Sequence, residues 1–160
     1  MVYGSAYMQN ASVDFLTTLL VSIPVGIFIA LVLFINCFQD YKADKATNKN
    51  GWVVRLAGPN DKANYRKPFN VWQFFMIVAF LIIGINAIFI NPLTGIALLP
   101  CILFYFGLNK GKNWLIEWEK EDANVDYLPY ELLIVNVSTI GTHFLTGVLL
   151  TLGFLLSAWF

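Results

Sequence analysis

Three long stretches without a single charged side chain decide what this sequence can become. No Asp, Glu, Lys or Arg occurs from Phe15 to Gln39, from Pro68 to Asn109 or from Leu132 to Phe160. An uncharged, mostly apolar run of about 18 or more residues is long enough to cross the hydrocarbon of a bilayer as a helix. Composition agrees. Apolar types make up 58% of the chain and charged types 12%, whereas about a quarter of a soluble domain is charged. The expected fold is all-α: a polytopic transmembrane helical bundle forming a single transmembrane domain over 1–160. Four spans are expected, at about 15–39, 71–90, 93–107 and 132–159. Asn91-Pro92 divides the middle run, because a residue before proline is pushed out of the helical region. A tight hairpin between two spans results. Pro24 and Gly26 interrupt the first span, which is tolerated where neighbours satisfy the freed carbonyls. The first run is too long for a secretory signal and has no basic segment before it.

The formal net charge is zero, so only the distribution of charge informs. Lys42, Lys45, Lys49, Arg55, Lys62, Arg66 and Lys67 face only Asp40, Asp44 and Asp61 in the 40–70 loop. A loop this basic between spans belongs on the cytoplasmic side. Four spans put the 108–130 loop there too, and give a protein integral to the cell (inner) membrane. A basic run enclosed by spans excludes nucleic acid as a partner and leaves the lipid bilayer. Trp72 is expected as an interfacial aromatic. Trp114, Leu115 and Trp118 suit a short helix on the membrane surface or the bundle. Gly141, Gly147 and Gly153 are expected on a closely packed face. Tyr65 and Arg66 either flank a headgroup site or anchor at the interface, and Asp61, beside Lys62, either contacts a ligand or sits in a solvated turn. Cys37 and Cys101 show no ligand spacing and are expected as small buried hydrophobes. His143, Asn86 and Asn91 are expected to hydrogen-bond across helix interfaces or to line a pocket.

The chemistry concentrates at the end of the first span. Asn36, Asp40 and Asp44 recur every four residues. If the helix continues through them, an amide and two carboxylates stack on one side. Like charges four apart repel mildly, and a divalent cation between them removes that cost. Oxygen ligands of this kind suit Mg²⁺, which is commonly held by one or two carboxylates together with substrate phosphates. Lys45, Lys49 and Arg55 follow, and either residue type binds phosphate oxygens. The combination points to a diphosphate site on the membrane surface, with the apolar part of the ligand between helices. Against it stands the ordinary use of Asp and Lys to cap and solvate a helix exit. Asn36 favours the site, since an amide inside an apolar span needs a partner or a function.

Asn36 through Gly58 resembles the second aspartate-rich motif of the UbiA superfamily of intramembrane aromatic prenyltransferases. The nearest likeness is to the branch that prenylates 1,4-dihydroxy-2-naphthoate in menaquinone biosynthesis. Asn36, Asp40, Asp44, Lys49, Val54, Arg55 and Leu56 fall in step with that motif, and Ser22-Ile23-Pro24-Val25-Gly26 resembles the preceding segment. Departures are Cys37 in place of a second Asn, Gln39 in place of Arg, and Lys45 in place of Arg. Asn48 stands in place of Gly, Gly51-Trp52 in place of Thr-Leu, and Ala57 in place of Gly. The family fold has nine transmembrane helices and two aspartate-rich motifs. By resemblance this chain is similar to the last four helices, with Tyr3 to Asn10 matching the end of the fifth. It thus looks like the C-terminal half, carrying only the second motif, with an N-terminal half bearing the first motif as its missing partner.

The resemblance implies a polyprenyl diphosphate donor, an aromatic acceptor such as 1,4-dihydroxy-2-naphthoate, and Mg²⁺. It implies Asp40 and Asp44 as catalytic metal-holding carboxylates, and Asn36, Lys45, Lys49 and Arg55 as binders of the diphosphate. With one carboxylate pair, the isolated chain is expected to be inactive. Two other classes fit the composition: a small membrane transporter half, which needs polar groups near the midplane, and a non-catalytic membrane subunit, which needs no aligned Asn36-Asp40-Asp44 face.

Overall fold

A computed structural model describes Met8, Ser12, residues 14–58, residues 62–124, Asp126 and residues 128–159. Tyr3 to Asn10, apart from Met8, and Pro59, Asn60 and Asp61 lie outside the described residues. The elements in order are α1 (Phe15–Asn36), α2 (Tyr41–Ala46), α3 (Trp52–Ala57) and α4 (Arg66–Phe89). A 3₁₀ segment (Pro92–Leu98) follows, then α5 (Cys101–Glu119), α6 (Leu128–Glu131) and α7 (Leu133–Ser157). Among the described residues, four stretches are long and apolar enough to cross a membrane: α1, α4, the 3₁₀ segment with α5, and α6 with α7. The protein is an all-α, four-span transmembrane bundle.

The bundle is inside-out relative to a soluble protein only in its coat. Leu33, Leu81, Ile102, Phe106 and Phe144 point outward and are exposed, as lipid-facing residues must be. Inside, Phe28, Ile35, Trp72, Met76 and Ile83 are fully buried. Helix α1 packs against α4 and α7, while α7 also lies along α5 and the 3₁₀ segment.

Asp14 begins α1: its carboxylate accepts from Thr17 N at 2.6 Å, satisfying one of the donors that a helix start leaves open. Pro24 has no N–H, so the Leu20 carbonyl loses its helical partner. Asn86 Nδ2 of α4 donates to that carbonyl at 3.0 Å. The proline-made defect thus becomes a tie between two spans, as lipid requires.

The third span runs further than the sequence suggests, and of the two places open to Trp114, Leu115 and Trp118 they take the bundle. The helix does not stop at Gly107 but runs to Glu119. Leu108, Gly111, Trp114, Leu115 and Trp118 form one buried face, and their three- and four-residue spacing lets it continue. Trp114 and Trp118 are therefore core, as is Trp72, which is fully buried between Phe69 and Phe104. Cys101 is exposed and Cys37 half-buried.

Nor do the three glycines of α7 share a close face. A Cβ on Gly153 would come within 2.7 Å of the Leu93 carbonyl oxygen, whereas Gly147 has nothing within 4 Å. Six-residue spacing turns a helix through about 600°, so it cannot repeat a face. The close approach lies on α5 instead. A Cβ on Gly107 would sit 2.1 Å from Ser138 Oγ, and one on Gly111 2.4 Å from a Phe69 ring carbon. Those glycines are four apart, which does repeat a face.

Candidate functional site

Both polar loops gather at one end of the bundle. Helix α1 ends at Asn36, three residues short of the expected Gln39. Cys37, Phe38 and Gln39 donate to the carbonyls three residues back, at 3.2, 3.2 and 3.1 Å. This 3₁₀ turn advances about 120° per residue instead of 100°. It breaks the single face on which Asn36, Asp40 and Asp44 would have lain. Asn36 is half-buried, Asp40 exposed, and Asp44 only 7% exposed. Asp40 and Asp44 keep the helical relation, since Asp44 N donates to Asp40 O at 2.8 Å.

Local sequence then folds a cation back over the buried carboxylate. Asn48 has φ 56°, a left-handed conformation that Asn tolerates better than most residues. It closes α2 in a Schellman turn: Lys49 N donates to Asp44 O at 2.8 Å and Asn48 N to Lys45 O at 3.2 Å. Lys49 thereby returns to Asp44, and its Nζ lies 2.9 Å from Asp44 Oδ1. That hydrogen bond, then the Asp44 charge and more weakly that of Asp40, raises the Lys49 ammonium above its ordinary pKa and keeps it charged. Asp44 Oδ2 faces Gly51, where a Cβ would stand 3.8 Å away.

Of the sequence-predicted residues, Asp44 and Lys49 are brought into contact, with Asp40 one turn before them. Lys45 lies with Nζ 5.9 Å from the centroid of the Tyr41 ring. Arg55 is exposed on the last turn of α3. Asn36 Oδ1 accepts from Asn136 Nδ2 of α7 at 2.8 Å. Sequence reasoning passed over Asn136, although the signal was present: it is an amide inside a charge-free run, as Asn36 is. Among the described residues, no three His, Cys, Asp or Glu side chains gather as a metal cage.

An aromatic layer beneath holds this end in shape. Phe38, Tyr65, Trp114 and Trp118 are mutually packed, with Phe38 and Tyr65 stacked at 5.2 Å. Their polar tips tie loops to helices. Tyr65 OH donates to Phe38 O at 3.0 Å, Trp118 Nε1 to Ala63 O at 2.7 Å, and Trp114 Nε1 to Leu128 O at 2.7 Å. Tyr41 OH donates to Gly58 O at 2.8 Å. Burial, and then the neighbouring Tyr41, pushes the Tyr65 phenol well up, so it stays a donor. A crevice of 120 Å³ between Gln39, Tyr65, Trp118 and Tyr130 is spanned by the Lys42–Asp126 ion pair. Arg66 meets Glu119 through two bonds, at 2.8 and 2.5 Å. A larger groove of 810 Å³ runs between α1 and α7, past Thr18, Ser22, Gly26, Gly147 and Thr151 to Ile29.

Set against family models, curated proteins and solved structures, the chain finds no match in any of the three. Fold and geometry together define a four-span integral membrane protein with a charged, oxygen-rich mouth at one end.

Proposed function

We propose that this chain is a diphosphate-binding part of an intramembrane aromatic prenyltransferase of the UbiA kind. The observation that carries this reading is the buried Asp44 at the end of the first span, with Asp40 one turn before it and Lys49 folded onto it. The reaction breaks the C1–O bond of an allylic prenyl diphosphate. The diphosphate leaves with the electron pair, and the electron-rich ring of an acceptor such as 1,4-dihydroxy-2-naphthoate attacks the allylic cation. A C–C bond forms and the ring loses its carboxyl group as CO₂.

In this site Asp40 and Asp44 would hold Mg²⁺, which supplies positive charge against the leaving diphosphate. Lys49 moves from Asp44 to a phosphate oxygen when ligand arrives, a short swing for a mobile point charge. Lys45 and Arg55 extend the basic rim, and Asn36 closes its membrane side. The prenyl chain descends between helices toward the α1–α7 groove, whose lining stops about two turns short of Asn36. Water kept from that path protects the cation. With one carboxylate pair, the chain neutralises part of the leaving charge. A second cluster on a partner half completes the clamp. The loops 40–70 and 108–130 then face the cytoplasm, where soluble diphosphates are met.

The test uses the purified chain in nanodiscs with Mg²⁺, a polyprenyl diphosphate and 1,4-dihydroxy-2-naphthoate. Expected is Mg²⁺-dependent binding of the diphosphate, lost in Asp44→Asn, without prenylated product. Binding indifferent to Mg²⁺ and to Asp44→Asn would reject the reading. It would favour a non-catalytic subunit, in which the Asp44–Lys49 pair only closes α2.

A further inference from the structure

We infer that Asn136 is a positioning residue: it fixes Asn36 as a hydrogen-bond donor toward an anion at the mouth, not as an oxygen ligand to a cation. This rests on the reading above and deepens it. Asn36, in the last turn of α1, and Asn136, in the first turn of α7, meet side chain to side chain between spans, with Asn136 Nδ2 donating to Asn36 Oδ1 at 2.8 Å. Asn136 is 4% exposed, and its own Oδ1 is buried without a partner.

The direction of this bond follows from what each arrangement leaves unsatisfied. An amide group carries two N–H donors and one carbonyl acceptor. As observed, Asn136 leaves one carbonyl oxygen and one N–H without a partner, and of the two the carbonyl is the less costly orphan. Reversed, with Asn36 donating, both N–H donors of Asn136 would be stranded inside the bundle. Asn136 therefore spends its amino group on Asn36, whose oxygen turns inward. Because Asn36 is half-buried, its amino group is the part of the amide left for a ligand, at the end of the bundle that also carries Asp44 and Lys49. An amino group there suits a phosphate oxygen and repels a metal ion.

Replacing Asn136 with Asp inverts this logic. A carboxylate only accepts, so Asn36 must rotate, donate inward and present its oxygen to the mouth. The experiment reads both consequences in the full chain in micelles, selectively labelled with ¹⁵N-asparagine, with inorganic pyrophosphate and Mg²⁺ as the probe. In the unaltered chain the Asn136 side-chain N–H signals should exchange slowly. Those of Asn36 should exchange fast and shift with pyrophosphate. In Asn136→Asp the Asn36 signals should become protected, and pyrophosphate affinity should fall at least about tenfold, the size of one lost hydrogen bond to a charged group. Protected Asn36 signals in the unaltered chain would overturn the inference, and that reading stands even if Asn136→Asp does not fold. Pyrophosphate binding that needs Asp44 but ignores Asn136→Asp would overturn this inference alone. An unaltered chain with the expected exchange pattern that binds no pyrophosphate would overturn the proposed function, and with it the anion assigned here.

Discussion

The two ends of the bundle are joined by different chemistry. At the hairpin end, besides the Asn86–Leu20 tie, α7 meets the 3₁₀ segment backbone to backbone, at a glycine with no room for a methyl group. At the loop end, spans and loops are joined by side chains: phenol and indole groups on carbonyls, amide on amide, Lys49 on Asp44 and Arg66 on Glu119. The first kind of joint is rigid and intolerant, because a main chain cannot step aside. The second can exchange partners, because a side chain can rotate away from one group to another. The fold is thus anchored at one end and adjustable at the other.

The contrast breaks most sharply at glycine. Gly153→Ala drives a methyl group into the Leu93 carbonyl and should destabilise the bundle by about 1–3 kcal/mol. Gly147→Ala, on the same helix with open space around it, should be neutral or slightly stabilising. Unfolding of the two variants by SDS in mixed micelles compares them, and equal losses would erase the distinction.

A smaller effect is expected where the loop end is tied by one hydrogen bond. Tyr65→Phe keeps the stacked ring but strands the Phe38 carbonyl in the aromatic layer, costing about 1–2 kcal/mol. The loss should concentrate at this end, seen as faster proteolysis of the 40–65 segment. An unchanged cleavage rate with a global loss would show that the two ends are not separable.

The smallest effect is a pH dependence at Asp14. Its hydrogen bond from the Thr17 backbone lowers the carboxyl below its ordinary value. The cap's contribution is therefore complete above the unfolded pKa of about 3.9 and fades as pH falls through the lower folded value. Asp14→Asn, which also caps, should remove the slope in that window while leaving the rest of the acid titration intact.

How much of this was legible in the sequence depends on the kind of signal. Spans are compositional, and three charge-free runs reveal them wherever their ends fall. The end of α1 is different. Asn36, Asp40 and Asp44 obey a four-residue rhythm, yet a 3₁₀ turn of three residues splits them, and no residue type announces such a turn. Asn48 did carry information: an Asn before Lys49 fits the left-handed cap that returns Lys49 to Asp44. Trp114 and Trp118 look interfacial by type. Their helical spacing with Leu108 and Gly111 places them inside, because the face they share is long enough to extend α5 beyond the membrane run. Gly107 and Gly111 were readable as a close-packing pair by their four-residue separation. The six-residue series on α7 was not.

The function proposed for the loop end of α1 places one shared Mg²⁺ on a diphosphate there. Calorimetric titration of Mg²⁺ into the chain at saturating inorganic pyrophosphate counts that ion directly. Expected is about one Mg²⁺ per chain beyond that bound by pyrophosphate in buffer, absent in Asp44→Asn and weakened in Asp40→Asn. Heat identical for the unaltered chain and Asp44→Asn would contradict it.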